Sequence, residues 1–328
     1  MRNIFIAAAL ATSTLLSAHA PSALAQGWTP QGNVELIVPA SAGGSLDATG
    51  RMVQKIWTDL KLVPTSSTVV NRSGGGHAVA YNFLAQHNGD PQFLSITSST
   101  ILANHINGRL KVTYTDFTPL AILLTEHIAI AVRPDSPIKT GKDFVEALKK
   151  DPSSLSIGLG SAAGGTHHIA VALPLLSGGV DLKKLKLVSF NSSGEAVTAL
   201  LGGHVDVISA GTINVAPHIQ SGGMRAVGTT APQRLQGVFA NVPTWPEQGY
   251  KGVFENWRGV IGAKGTTAPQ IAYWEGVLKR VVDSDEFRQQ AEKNQWERTF
   301  KGSAEMRKFL AAQYTDLKEV MTSLGLVK

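Results

Sequence analysis

From Val34 the chain is apolar up to Pro39, except at Glu35. Five small residues follow, Ala40 to Gly44, then Ser45, and then an amphipathic stretch in which Val53, Ile56, Trp57 and Leu60 recur at helical spacing. This pattern predicts a buried strand, a bare loop and a helix over Leu46 to Leu60. The order repeats: STVVN is β-branched and short, RSGGGH is small and polar, and AVAYNFLAQH is again helical. FLSIT then gives a third strand, ended by Ser98, Ser99 and Thr100.

The middle of the chain has the same layout. LSIGL reads as a strand, GSAAGGTHH as its loop and IAVALPLL as a helix; KLVSF, NSSGE and AVTALLGG follow in the same order. VDVIS is a strand stopped by AGT, and MRAVGTT another strand. Strands alternating with helices predict an α/β fold with mainly parallel sheets. Between the two units lies TPLAILLTEHIAIAVRPDSPI, with an apolar strand at Ile128 to Val132. WRGVIGAKGTTAPQIAYWEGVLKRVV follows the second unit, and the amphipathic terminal stretch runs from Ala304 to Leu324. Two crossings are expected, near Glu126 to Pro134 and near Val253 to Ala263. They divide the chain into a discontinuous lobe, residues 26–130 and 254–328, and a middle lobe, residues 131–253.

The first 26 residues change the picture. Arg2 precedes an apolar stretch from Ile4 to about Ala18, and Ala23-Leu24-Ala25 has the small-residue spacing of a cleavage site. This predicts a secretory signal peptide over residues 1–25 and a mature chain exported to the periplasm. The chain has 328 residues, 43% hydrophobic and 16% charged, enough for two lobes. It has no cysteine, which excludes disulfides, thiolate metal sites and cysteine nucleophiles. The net charge of +6 rests on scattered basic residues, clustered only at Lys149-Lys150 and Lys183-Lys184-Lys186. They read as solvated surface, and no nucleic-acid partner is expected.

Candidate chemistry lies in the loops. In an open α/β sheet, ligands bind outside the carboxyl ends of the strands. Glycine permits close backbone approach there, and helix N-termini favour an anion. The candidate ligand-binding residues in the discontinuous lobe are Ser41, Ala42, Gly43, Gly44, Asp47, Gly75, Gly76, His77, Ser98 and Ser99. Those in the middle lobe are Gly160, Ser161, Thr166, His167, Ala210 and Gly211. Asp47 reads equally as support for its helix start, and the serines as strand stops. His167 and His168 are adjacent and so point to different helix faces, unlike a metal-binding i, i+4 pair. No metal or cofactor is expected. Arg72 is the one fixed cation within the loops, while Arg133 and Arg258 flank the crossings. Gly158 to Ala163 matches G-x-G-x-x-A, which leaves a secreted enzyme with a nucleotide or phosphate loop as the competing reading. The acid such a site wants after the next strand is missing, and no G-x-S-x-G elbow occurs.

LIVPASAGGSLDATGRMVQKI, VVNRSGGGHAVAYNFLA, YTDFTPLA, SIGLGSAAGGTHHIA, ALLGGHVDV, VPTWPEQG and NWRGVIGAKG resemble, in order, the Bug/TctC family of periplasmic solute-binding proteins. The resemblance implies a two-lobed Venus-flytrap clamshell of the type II kind and no enzymatic activity. It further implies a monomer that captures a small carboxylate and delivers it to the membrane permease subunits of a tripartite tricarboxylate transporter. In that family the first two loops hold a carboxylate, which here are Ser41 to Gly44 and Gly74 to His77. Ala40-Ser41 stands where many relatives carry Phe-Pro or Tyr-Pro.

Overall fold

The computed structural model describes residues 27–42, 45–161, 163–190, 192–294 and 296–327. The expected signal segment and the loop glycines Gly43 and Gly44 lie outside the described residues. The chain opens with β1 (Val34–Val38), α1 (Ser45–Asp59), β2 (Ser67–Asn71), α2 (Ala78–Ala85), β3 (Phe93–Ser98) and α3 (Thr100–Ile106). It continues through β4 (Thr118–Glu126), β5 (Ile128–Val132), α4 (Gly141–Lys150), β6 (Ser156–Leu159), α5 (Thr166–Ser177) and β7 (Lys186–Ser189). Next come α6 (Ser193–Leu201), β8 (Val207–Gly211), α7 (Thr212–Gln220) and β9 (Arg225–Thr229). It closes with β10 (Asn256–Gly262), α8 (Ala268–Asp283), α9 (Asp285–Lys293), β11 (Trp296–Gly302) and α10 (Ser303–Ser323).

Among the described residues the strands form two sheets, ordered β11-β4-β10-β3-β1-β2 and β7-β6-β8-β5-β9, each flanked by helices. In the first sheet β1 to β4 run one way and β10 and β11 the other. In the second, β6 to β9 run one way and β5 the other. The sheets are therefore mixed rather than mainly parallel: most strands share one direction, yet five of the nine pairings among the described residues are antiparallel, and the reversed strands have a topological cause. The chain leaves the first sheet at the carboxyl end of β4 and enters the second beside the carboxyl end of β8, where Ile128 pairs with Gly211. Entering at that edge forces β5 to run backwards. The return after β9 obeys the same rule: β10 starts at Asn256 opposite Glu126 and descends antiparallel to β3.

A single residue, His127, separates β4 from β5, so sheet membership changes there; the boundary expected between 130 and 131 falls inside β5. The second passage runs past Phe254, whose N–H donates to Thr230 O at 3.0 Å. Because both passages use carboxyl ends, the strand-to-helix loops of the two sheets converge on one junction.

Alternation along the strands splits each core in two. Leu36 and Val38 pack with Trp57, Trp274 and Phe287, while Ile37 faces the opposite cluster with Tyr81, Trp257 and Leu317. In the second sheet Ile130 and Val132 meet Phe144 and Trp245, and Ala129 and Ala131 meet Leu200 and Phe239. Each large side chain fully removed from water contributes about 1.5–3 kcal/mol. The closing helix α10 spans the division. It packs on β4 and α3 and also on α5, and Leu317 shares a cluster with Ile169 and Ala170.

Candidate functional site

The first two loops are joined by one side chain. Asn71, the last residue of β2, donates to Ala40 O at 3.0 Å and to Asp47 Oδ1 at 2.9 Å. The other Asp47 oxygen accepts from Arg51 Nε at 2.9 Å. Asp47 is buried in the first turn of α1, where a carboxylate also meets the positive end of the helix dipole. Its charge therefore serves loop geometry. Ser41 and Ala42 stand exposed next to this anchor.

The second loop turns through a short 3₁₀ segment, Gly75–His77, with φ of +57° at Gly75, +63° at Gly76 and +79° at His77. Positive φ suits glycine and strains histidine, so His77 is held by its surroundings. Asn104 of α3 donates to Gly76 O at 2.8 Å, and the His77 ring lies edge-on to Tyr81. Burial lowers the His77 pKa to about 4, leaving it neutral at pH 7. Arg72, at the start of this loop, is turned away from it. Its guanidinium pairs with Glu35 at 3.3 Å and lies 3.4 Å from the Phe83 ring centroid.

The second sheet contributes the ends of β6 and β8 and the start of α5. Ser209 Oγ donates to His167 O at 2.8 Å, which fixes the first turn of α5 against β8. His167 Nε2 lies 3.2 Å from Ser193 Oγ, and Gly211 N donates to the same hydroxyl at 3.4 Å. Gly160 N bonds to Ser209 O at 3.1 Å, and Ser161 and Thr166 flank it half-buried. Burial lowers the His167 and His168 pKa values to about 4. Gly164 N donates to His168 Nδ1 at 2.9 Å, so neutral His168 carries its proton on Nε2. Ala210 and Gly211 end β8 and are buried.

The two sheets touch at Glu126, the last residue of β4. Arg258 Nη2 donates to Glu126 Oε2 at 2.6 Å and Asn256 Nδ2 to the same oxygen at 3.2 Å. Ser99 Oγ donates to Asn256 Oδ1 at 2.9 Å, so Ser99 supports this network while Ser98 Oγ accepts from Thr100 N at 3.4 Å. Across the junction, a Cβ built on Gly211 would lie 2.7 Å from Glu126 Oε1. The structure thus gathers Ser99, His167 and Gly211 around one acid. Ser41, Ala42 and Gly75 to His77 share the same edge by topology. Among the described residues no hydrogen bond links them to the second sheet's loops.

Glu126, Asn256 and Ser193 are absent from the sequence-derived set. Glu126 did carry a signal, as the lone acid in the run Thr118 to Val132. Asn256 and Ser193 carried none that separates them from other surface-loop residues.

This edge suits an anion. The helices α1, α2, α5, α6 and α7 all begin there and present N–H groups. The neighbouring cations are spoken for: Arg51 by Asp47, Arg72 by Glu35 and Arg258 by Glu126. A separate groove of about 490 Å³ lies between residues 232–237 and Trp296 and Glu297. It sits at the β9 and β11 edges, across β5 and β4 from the glycine loops. Its acids Glu292 and Glu297 disfavour an anion, and its Arg234 is bound to Glu247 through both carboxylate oxygens.

Residues 60–326 match the family described as the tripartite tricarboxylate transporter family receptor, TctC. A Cupriavidus necator protein named for the gbd 5′ region is 26% identical, over 100% of this chain and 99% of its own. Protein BugT of Bordetella pertussis is 26% identical over 72% of each chain. Among solved structures, a TctC solute-binding protein from Polaromonas superposes with a TM-score of 0.78 at 25% identity, covering 90% of this chain and 99% of that one. Two Rhodopseudomonas palustris proteins share the fold. One is MatC with bound malate (TM-score 0.71, 22% identity, 89% and 99% covered), the other a protein with adipate (TM-score 0.75, 21% identity, 91% and 99% covered). The family is one of receptors and not of enzymes, so the reading of Gly158 to Ala163 as an enzyme's nucleotide or phosphate loop falls. This chain belongs to the TctC family of periplasmic solute-binding receptors.

Proposed function

We propose that the protein captures a small organic carboxylate between the carboxyl edges of its two sheets, as a monomer, and hands it to the permease of a tripartite tricarboxylate transporter. The observation that carries this reading is the convergence of glycine- and hydroxyl-bearing loops and helix N-termini on one junction whose cations are already paired. An anion there is held by amides and hydroxyls, a mode suited to carboxylate. The malate and adipate held by two structural neighbours support the same class. The two lobes, divided at His127 and near Phe254, close about these crossings. The N-terminal segment directs export and is removed after Ala25.

Titration of the purified mature chain with malate, adipate and a wider set of mono-, di- and tricarboxylates tests this. The expected result is one-to-one binding that raises the melting temperature without consuming the ligand. Stabilisation by nucleotides or sugars, with none by any carboxylate, would overturn it.

A further inference from the structure

Glu126 is a charged group buried where the two sheets meet, its side chain only 10% exposed. Its two oxygens are used very differently. Oε2 takes both the Arg258 and the Asn256 donors. Those donors are themselves fixed: Arg258 donates to Thr49 Oγ1 at 3.1 Å and lies 5.0 Å over the Trp296 ring, and Asn256 is held by Ser99. The carboxylate is thereby clamped in one orientation. Oε1 points across the junction to Gly211 and accepts no hydrogen bond among the described residues. His167 does not fill the gap, because its Nε2 faces Ser193 and its Nδ1 is buried without a partner. A ligand that seats against this clamped oxygen strips its water, and a donor on the ligand replaces that water where a plain methylene leaves the oxygen unsatisfied. Glycine at 211 leaves Oε1 uncovered, where any larger residue would press on it.

We infer that Glu126 is a specificity-determining residue whose Oε1 accepts a hydrogen bond from a hydroxyl or ammonium on the ligand. The site therefore selects carboxylates that carry such a donor over plain ones. This rests on the carboxylate reading above. Arg258 balances the charge of Glu126, so the ligand's own carboxylate, seated at the glycine loops, meets a neutral pair rather than a bare acid. A plain methylene against Oε1 would displace water and return nothing. Discrimination of this kind comes from the penalty on the wrong ligand as much as from attraction to the right one.

Calorimetry with two matched sets of probes tests the inference: succinate, malate and aspartate, then glutarate, 2-hydroxyglutarate and glutamate. In the wild type, donor-bearing members should bind at least about tenfold tighter than the plain diacid of their set, the scale of one well-placed polar contact. Glu126→Gln keeps an oxygen for Arg258 and Asn256 and turns an NH₂ outward. Ammonium probes should then lose their advantage, while hydroxyl probes, able to accept, keep theirs. Gly211→Ala crowds Oε1 and should remove the advantage of both. Ratios between probes within one variant cancel any general loss of stability, and the Glu126→Gln arm decides alone if Gly211→Ala does not fold. Plain diacids that match or beat their partners in the wild type, or an ammonium advantage unchanged by Glu126→Gln, would overturn the inference while leaving the carboxylate reading standing. A wild type that binds none of the six, nor any other carboxylate, would bring down both.

Discussion

Glu126 and Gly211 meet across the two sheets so closely that a single methyl group on Gly211 would stand 2.7 Å from Glu126 Oε1. One is the end of β4 and the other the end of β8, so the two carboxyl edges lie against each other at the crossing. The same acid is neutralised from its own sheet by Arg258.

Removing that partner should be expensive. Arg258→Ala leaves Glu126 buried without its counter-charge and is expected to lower unfolding stability by about 3–5 kcal/mol in urea titrations. Replacing both members, Glu126→Leu with Arg258→Met, should cost clearly less than the single change. Equal losses would mean that the pair acts only through packing.

The first-loop cation and the glycine edge give opposite expectations for binding. Arg72 is already paired with Glu35 and stacked on Phe83, so Arg72→Ala should change carboxylate affinity by less than about twofold while costing on the order of 1 kcal/mol of stability. A Cβ at Gly160 would sit 2.5 Å from Ser193 Oγ and 2.8 Å from Ser193 Cα. Gly160→Ala must therefore push back the start of α6 and the hydroxyl shared by His167 and Gly211. An affinity loss of at least about tenfold is expected, equivalent to roughly 1.4 kcal/mol. Calorimetry on the two folded variants reads both, and the reverse ranking would assign the anion to Arg72.

Acid should destabilise the fold over a defined window. Burial lowers His77, His167 and His168 from the ordinary 6.5 to about 4. Between those values the unfolded chain takes up protons that the folded chain refuses, so stability falls as pH drops. The contribution is complete above pH 6.5, declines towards pH 4 and is level below. A tenfold difference in proton affinity between the folded and unfolded chain is worth about 1.4 kcal/mol, the ceiling for each ring over each pH unit of this window. The half-buried His77 and His167 fall below that ceiling. Urea midpoints at pH 7.5, 6.5, 5.5 and 4.5 should fall steadily below the second of these. A midpoint unchanged from 6.5 to 4.5 would contradict the burial of these rings.

Much of the fold was legible because strand, small-residue loop and helix recur with clear periods. β1, α1 and β2 lie where Val34 to Asn71 predict them. β5 lies at Ile128 to Val132 as expected, but β4 was not read as a strand. All nine of its residues are buried, so no polar alternation marks it, and only His127 intervenes. β11 was missed for the opposite reason: WERTFKG is a largely polar edge strand, paired on one side only. α3 is seven residues long and reads as the tail of a strand stop, and of AGT the first two residues end β8 while Thr212 starts α7. At the site, loop composition pointed to the carboxyl edges of the strands, where the loops of the two sheets converge. The clamp of Glu126 by Arg258 and Asn256 depends on antiparallel register between β4 and β10, separated by 130 residues in the Asn256 contact, which no local pattern records.

Hydrogen exchange with and without a saturating carboxylate, malate or adipate being the first probes, tests most directly whether the two carboxyl edges form the ligand's seat. Slowed exchange is expected in residues 40–50, 72–80, 160–170 and 191–197, with residues 232–237 and 291–297 unchanged. Protection confined to residues 232–237 and 291–297, with the glycine loops exchanging as before, would contradict this and move the ligand to the groove beside Trp296.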